Sequence, residues 1–301
     1  MPEEVCILMS TYNGEKYIKE QIESLLKQRD IKVKIIVRDD GSSDSTTDIL
    51  EDFKNKGILE WYSGKNLKSA KSFYDLIMKA PQSKYYAFCD QDDVWSEDKL
   101  KKAVDMLKNS PENKPAVYSC PLALVDENLN AIVNNRKDKY SSETGACLIS
   151  NNVAGCTMVF NQELLNMLRI HIPEKMTMHD DWAYKVAVFT GADVYRDSKS
   201  YIKYRQHSNN VIGAQTKISS KIKRRLKRIK DKKNVRLNQL IEIYDVYKDF
   251  MPEKNKELVE CIVYYKKNLK RKILLLKNKK ISTKFRDINF FYRIDVIFGL
   301  F

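Results

Sequence analysis

Residues 5–9 (Val-Cys-Ile-Leu-Met) form an unbroken apolar run that stops at Ser10-Thr11-Tyr12-Asn13. A run this short, closed by polar turn residues, predicts a strand buried on both faces of a parallel sheet. Between Lys16 and Gln28 the apolar positions Tyr17, Ile18, Ile22, Leu25 and Leu26 recur at helical spacing. Val33–Val37 predicts a second strand, closed by Arg38-Asp39-Asp40-Gly41-Ser42. A helix is expected over Ser45–Lys54, with Ser43 or Asp44 as its N-cap. Leu59–Tyr62 predicts a third strand, Ser69–Lys79 a helix, and Tyr85–Cys89 a fourth strand ending in Asp90-Gln91-Asp92-Asp93. Strands alternating with helices imply an α/β protein with a mostly parallel sheet flanked by helices. Ligands of such sheets lie beyond the carboxyl ends of the strands, at the switch in strand order. Three predicted strand ends are polar, and all three can face one crevice.

Further along, Ala116–Ser119 and Val153–Phe160 are expected as strands, Asp181–Thr190 as a helix, and Val194–Tyr195 and Tyr201–Tyr204 as short strands. From Ile218 the pattern turns helical. Ile218, Ile222, Leu226 and Ile229 make one narrow stripe, continued by Leu237, Leu240, Ile241 and Tyr244. After Pro252, the residues Leu258, Ile262, Tyr265, Leu269, Ile273 and Leu276 make a second long stripe, so a helical hairpin or bundle is expected.

Charge divides the chain in the same place. Residues 211–301 carry 25 Lys/Arg and 9 Asp/Glu, while the whole chain carries 54 and 40. The first 210 residues are therefore nearly neutral and the last third is strongly basic. A boundary near 212/213 is expected, with an anionic partner for the basic part: a membrane surface or a nucleic acid. A solvated helical surface would also carry such charge. The six cysteines form no CxxC pair and sit among apolar neighbours, as expected of reduced, buried thiols in a cytoplasmic protein. Glu3 and Glu4 precede the first apolar run, which does not read as a signal peptide. The charge-free stretch Thr144–Gln162 holds three Asn and two Gly and does not read as a membrane span.

Candidate chemistry lies in four clusters. Asp90, Asp92 and Asp93 fall within four positions, and carboxylates so close repel one another unless a cation lies between them. Mg²⁺ or Mn²⁺ suits such a set, completing its shell with phosphate and water. A solvated turn with Asp92 or Asp93 capping a helix near Ser96 is the plainer alternative. Asp39 and Asp40 can accept hydrogen bonds from a ribose hydroxyl or a base N–H, while a turn followed by a helix cap is the plainer reading of these residues alone. Asp180 or Asp181, beside His179 and Trp182, can act as a general base at the mouth of a site, or simply sit at an acid-rich helix start. Arg205 and His207 can meet phosphate or metal, although a histidine at a strand end is more often structural. Neither GxGxxG nor GxxxxGK[ST] occurs, which removes the dinucleotide and P-loop readings.

Together these motifs resemble the family 2 glycosyltransferases of the GT-A fold over about residues 4–212. The likeness rests on Ser10-Thr11-Tyr12-Asn13, on Asp39-Asp40-Gly41-Ser42 about 30 residues later, and on Asp92-Asp93 as the DxD-type element. His179-Asp180-Asp181-Trp182, Gly155-Cys156-Thr157 and Tyr204-Arg205-Gln206-His207 resemble a bacterial rhamnosyltransferase-like branch. The resemblance implies that Ser10, Thr11 and Tyr12 lie along the nucleotide base and that Asp40 binds it. It also implies that Asp92 reaches the ribose or diphosphate and that Asp93 ligates Mg²⁺ or Mn²⁺. His207 is a further metal or diphosphate contact, and Arg205 a phosphate contact. Asp180 is the general base, with Asp181 as the alternative register. The absence of QxxRW implies a single addition rather than processive synthesis.

The implied reaction is inverting transfer of a sugar from a nucleotide donor to a glycan hydroxyl in cell-surface polysaccharide synthesis. L-rhamnose from dTDP-rhamnose is favoured, with a UDP-hexose or UDP-N-acetylhexosamine as the alternative. The acceptor is a glycan or a polyprenyl-diphosphate-linked glycan. Lys221, Lys223, Arg224, Arg225, Lys227 and Arg228, within 217–233, are then expected on anionic lipid at the inner face of the cell membrane, helped by Phe290-Phe291-Tyr292 and residues 296–301. Packing on the catalytic part or in a homo-oligomer is the rival use of these helices. No nucleic-acid partner is expected; a nucleic-acid-binding protein is the non-enzyme alternative, and it leaves the acidic strand ends unexplained.

Overall fold

The computed structural model describes residues 2–133, 140–151, 153–207 and 234–301. Strands β1 (Glu3–Thr11), β2 (Ile31–Asp39), β3 (Leu59–Ser63) and β4 (Tyr85–Cys89) form its parallel half. They alternate with helices α1 (Ile18–Leu26), α2 (Thr46–Asn55) and α3 (Lys68–Lys79). Then come β5 (Val94–Trp95), α4 (Lys99–Leu107), β6 (Ala116–Ser119), β7 (Ala123–Val125), α5 (Thr144–Ile149), β8 (Val159–Asn161), α6 (Gln162–Arg169), α7 (His179–Phe189), β9 (Asp193–Arg196) and β10 (Ile202–Arg205). The last third holds α8 (Val235–Tyr247), α9 (Glu253–Val263), α10 (Leu269–Lys277) and α11 (Arg286–Ile297).

The seven-stranded sheet runs β3-β2-β1-β4-β8-β6-β9, with β8 antiparallel to both neighbours. A small second sheet, β5-β10-β7, lies beside the site. The unbroken apolar run of β1 has a direct cause, because successive side chains point to opposite faces. Cys6 and Leu8 enter one core with α3, α6 and α7. Val5, Ile7 and Met9 enter the other with α1, α2 and α4. Strand β4 divides likewise, Tyr86 and Phe88 against Tyr85, Ala87 and Cys89.

The switch in strand order falls between β1 and β4, since β1 pairs with β2 on one side and β4 on the other. Register places Thr11 opposite Asp39 and Met9 opposite Cys89, so the polar ends of β1, β2 and β4 emerge together. Helix α7 starts beside them and buries all eleven of its residues. Its cover is the C-terminal region: Leu240, Ile243, Tyr247, Val259 and Ile262 share one core with Trp182 and Tyr184. The expected boundary at 212/213 lies outside the described residues, and the helices beyond it pack into the same core as α7. No helix among the described residues is long and apolar enough to cross a membrane.

Four local expectations are corrected. Val153–Phe160 is not one strand: a 3₁₀ turn at Gly155–Thr157 precedes β8, because Gly155 is drawn against the start of α7. The long stripe from Leu258 to Leu276 is cut in two, because the Asn268 side chain accepts the Arg271 N–H and starts a new helix. The N-cap position of α2 is Ser45, although the Asp44 carboxylate accepts the Thr46 N–H at 3.1 Å. Neither Asp92 nor Asp93 caps a helix, since β5 intervenes and α4 begins only at Lys99. The stripe Ile218–Ile229 and the basic run 217–233 lie outside the described residues.

Candidate active site

The loops after β1, β2 and β4 are bound to one another by side chains from the expected motifs and by others the motifs did not reveal. Gln91 Oε1 accepts from Thr11 Oγ1 at 2.6 Å and from the Tyr12 N–H at 2.8 Å, while its Nε2 donates to Tyr12 O at 3.2 Å. The Asn13 N–H donates to Ser42 Oγ at 2.8 Å, and Asn13 Oδ1 accepts the Ser43 N–H at 2.8 Å. This leaves the Tyr12 ring 48% exposed at the crevice while Thr11 beside it is buried.

Asp39 folds back on its own turn, accepting the Gly41 and Ser42 N–H groups at 3.1 Å each and Ser63 Oγ at 2.8 Å. Asp40 is buried and accepts the Leu67 and Lys68 N–H groups at 2.8 Å each, together with Arg38. Arg38 also donates to Ser72 Oγ at 2.9 Å, and Ser72 meets Ser10 Oγ at 2.5 Å. Arg38, Asp40 and Ser72 are thus one buried network, with half-buried Ser10 at its edge. Its charged centre, Arg38, was signalled only as a basic residue ending an apolar strand.

Beyond β4, Asp90, Asp93 and Cys156 bring potential ligand atoms within 4.8 Å of one another. Asp93 is wholly buried; its Oδ1 accepts the Arg205 N–H at 3.2 Å, and its Oδ2 has no hydrogen-bond partner. Burial, reinforced by Asp92 and Asp180, pushes Asp90 up to about 7. Burial, with Asp90 and Asp92, lifts Asp93 well above the usual carboxylate range. An orphaned carboxylate oxygen facing a second carboxylate is the donor set a hard divalent cation satisfies. Two oxygens plus phosphate and water suit Mg²⁺ or Mn²⁺, so the residues fit the implied ion. Cys156 does not join as a thiolate, because burial holds its thiol protonated. Wholly buried Lys99 lies over the Trp95 ring, and burial brings it down to about 8. It is the cationic neighbour behind this cluster.

His207, expected as a metal or diphosphate contact, places its Nε2 2.7 Å from Asp92 Oδ2 and packs its ring 5.1 Å from Tyr17. Arg205 was expected on phosphate, but its guanidinium is turned inward. It donates to Asp92 O at 2.9 Å, to Glu20 Oε2 at 2.5 Å and to Glu127 O, and covers the Tyr17 ring. Both residues bond to the 90–93 loop, and the second sheet places β10 beside it.

The acidic pair divides into two unlike groups. Asp180 Oδ2 accepts the Gly155 N–H at 3.0 Å, and its Oδ1 accepts the Asp181 N–H at 2.6 Å and Asn151 Nδ2 at 3.5 Å. Burial, then the Asp181 charge, pushes Asp180 up to about 6 against those hydrogen bonds. Asp181 points the other way, to Lys185 one turn on and to Gln239 Nε2 of α8 at 2.7 Å. Burial would raise Asp181, but Lys185 and Gln239 hold it below the ordinary value. His179 stacks on Phe73 with ring centres 3.8 Å apart, and burial lowers it to about 3, so it is a neutral wedge. Gly155 is required by contact rather than backbone angle: a Cβ there would stand 2.6 Å from His179 Nε2. Gln239, from the far end of the chain, carried no local signal.

An acidic cluster and a separate raised carboxyl at the switch point occupy the place where sheets of this kind hold ligands and where titratable groups mark a candidate active site. The model of glycosyl transferase family 2 matches residues 6–166, and the chain belongs to that family. It is 32% identical over 229 residues to the dTDP-rhamnosyl transferase RfbG of Shigella flexneri, covering 72% of this chain and 77% of that protein. It is 30% identical over 166 residues to WfgD of Escherichia coli, covering 54% of this chain and 62% of that protein. WfgD is a UDP-Glc:alpha-D-GlcNAc-diphosphoundecaprenol beta-1,3-glucosyltransferase. The fold is that of the mannosyltransferase PcManGT from Pyrobaculum calidifontis, solved with GDP-Man and Mn²⁺. That match has a TM-score of 0.56 at 15% identity and covers all of this chain and 81% of that one. The chain is therefore a GT-A glycosyltransferase acting on nucleotide sugars.

Proposed function

We propose that the protein transfers L-rhamnose from dTDP-rhamnose, with inversion, to a hydroxyl of a lipid-linked glycan, and that Asp180 is the general base. One observation carries the choice of base: of two adjacent buried acids, only Asp180 is raised, to about 6, and it is free of any cationic partner among its hydrogen bonds. A carboxylate of that basicity is ionised at neutral pH yet accepts a proton far better than an ordinary aspartate. Asp181, held by Lys185 and Gln239, keeps the start of α7 in place.

In the reaction the acceptor hydroxyl gives its proton to an Asp180 oxygen as its own oxygen bonds the anomeric carbon. The bond from that carbon to the nucleoside diphosphate breaks on the opposite face. Tyr12 and Thr11 flank the base, the Ser10–Arg38–Asp40–Ser72 network shapes its pocket, and Asp92 faces the ribose or diphosphate. Asp93, with Asp90, would hold the Mg²⁺ or Mn²⁺ ion, which when bound neutralises charge on the departing diphosphate. The rhamnose assignment draws on the likeness to RfbG, and the lipid-linked acceptor on WfgD. WfgD also favours one second reading, a UDP-hexose donor used by the same residues. The basic last third is read as attachment to the anionic inner face of the cell membrane. The test is transfer from a panel of labelled nucleotide sugars to a polyprenyl-diphosphate-linked sugar, with the new linkage read by NMR. An inverted rhamnoside formed from dTDP-rhamnose is expected. Transfer from a UDP-hexose alone would replace the donor, and a product of retained configuration would remove the mechanism.

A further inference from the structure

A cavity of about 390 Å³ lies between the start of α5, helix α9 and the link from α10 to α11. Its lining is dominated by Lys254, Lys279, Lys280 and Lys284, with the hydroxyls of Ser282 and Thr283 between them and Glu143 as the one acid. None of the four ammonium groups makes an ion pair among the described residues. The walls are fastened. A Cβ on Gly145 would fall 1.9 Å from the Lys280 carbonyl oxygen, so only glycine allows this approach of α5 to the link. Thr144 Oγ1 donates to Asn255 Oδ1 at 2.9 Å, tying α5 to α9. The Ser282 and Thr283 hydroxyls donate to Lys279 O at 3.0 Å and to Asn289 Oδ1 at 3.1 Å, which fixes the link, and four lysines lining one cavity are the chemistry that holds a phosphate or diphosphate.

The two helices joined by that link are apolar on the outside. Helix α10 buries only Leu275, while Leu269 and Leu274 are 71% and 55% exposed. Helix α11 buries Tyr292 and Val296, while Phe290 and, just past its end, Phe298 are 61% and 70% exposed. Phe290, Ile294, Ile297 and Phe298 fall on one helical face. Between Tyr265 and Phe301 there are eleven Lys/Arg and two Asp/Glu. Exposed aromatic and aliphatic faces ringed by cations match an anionic lipid surface, with apolar groups below the headgroups and ammonium groups among the phosphates. Helix α5 connects the cavity to the reacting carboxyl: Gly145 lies at one end and Asn151, bonded to Asp180, just beyond the other. Six helical residues rise on the order of 9 Å.

We propose that this cavity seats the diphosphate of the lipid-linked acceptor, with its lipid running over α10 and α11. This rests on the lipid-linked acceptor of the proposed function. The test uses the full chain and flotation with phosphatidylcholine vesicles, plain, doped with polyprenyl phosphate, or doped with phosphatidylglycerol. Strongest binding to the polyprenyl phosphate vesicles is expected. Lys280→Ser with Lys284→Ser should weaken it about thirtyfold while leaving the thermal shift given by nucleotide and Mn²⁺ intact. Phe290→Ser with Phe298→Ser should weaken binding to every vesicle. Equal binding of the lysine variant and the wild type overturns the proposal. So does equal preference for phosphatidylglycerol, which marks a general anionic surface, or equal competition by inorganic pyrophosphate, which marks a free-phosphate site. A wild-type dimer dispersed by Phe298→Ser, with no vesicle binding, would give the apolar face to a second copy instead. Loss of nucleotide binding in the wild type would undo the transferase reading alone and leave vesicle binding unaffected.

Discussion

Asp180→Asn should make the protein more stable and almost inactive. Holding a carboxyl at about 6 instead of 3.8 costs the folded state about 3 kcal/mol at neutral pH. Between pH 4 and 6 the native state binds more protons than the unfolded state, so this group's contribution falls as pH rises through that window. Asparagine removes the buried charge but not the need for acceptors. Both Asp180 oxygens accept backbone N–H groups, Gly155 at 3.0 Å and Asp181 at 2.6 Å, and an amide NH₂ can face neither. One lost acceptor returns about 1–2 kcal/mol of the gain. The net is about 1–2 kcal/mol of stabilisation, or roughly 2–3 °C in Tm for a chain of this size. The gap should close below about pH 4, where both side chains are neutral. Turnover should fall by about 10²–10⁴-fold. In the wild type, kcat/KM should rise with pH and level off above about 6; in the variant that rise should vanish. Thermal melts in EDTA across pH, paired with transfer rates, test all of this. A variant that melts lower at pH 7.5 and turns over like the wild type would refute both the buried charge and the role of the base.

The other side of the acidic pair should behave oppositely. Lys185→Met strands the Asp181 carboxylate and should cost about 3–5 kcal/mol, most of it recovered by adding Asp181→Asn. Because Asp181 is held below its ordinary value, that cost should fade as pH falls through its titration; denaturant melts of the single and double variants at two pH values check it. Gly155→Ala drives a methyl against His179, which Phe73 and Phe88 prevent from yielding. It should cost about 1–3 kcal/mol and at least tenfold in kcat. Full activity would mean that the contact does not position Asp180.

The parallel half of the sheet was legible because its strands are buried on both faces and leave unbroken apolar runs. Tyr85–Cys89 coincides with its strand, and in the mixed half Ala116–Ser119, buried at every position, does so too. What periodicity cannot show is a break inside a continuing pattern. Asn268 interrupts the stripe from Leu258 to Leu276 without changing its spacing, and Gly155 bends Val153–Phe160 because of His179, 24 residues away. The site shows the same division. The acidic strand ends announced themselves as clusters of like charge next to apolar runs. Their supports did not, because Arg38, Gln91 and Gln239 act on partners far away in sequence, such as Ser72, Tyr12 and Asp181. Arg205 and His207 were found as residues near the site, but their bonds to Asp92 span more than 110 residues, which local sequence does not show.

The most direct measurement is a thermal-shift panel of dTDP-, UDP- and GDP-sugars, each with Mn²⁺, Mg²⁺ or EDTA, on the wild type and Asp93→Asn. A nucleotide-sugar transferase with its cation at Asp93 should gain stability only when one nucleotide sugar and a divalent ion are both present, with the dTDP donor strongest, and should lose that gain in Asp93→Asn. Stabilisation that ignores the ion, or survives unchanged in the variant, would contradict the cation site, and no shift with any nucleotide sugar would contradict donor binding itself.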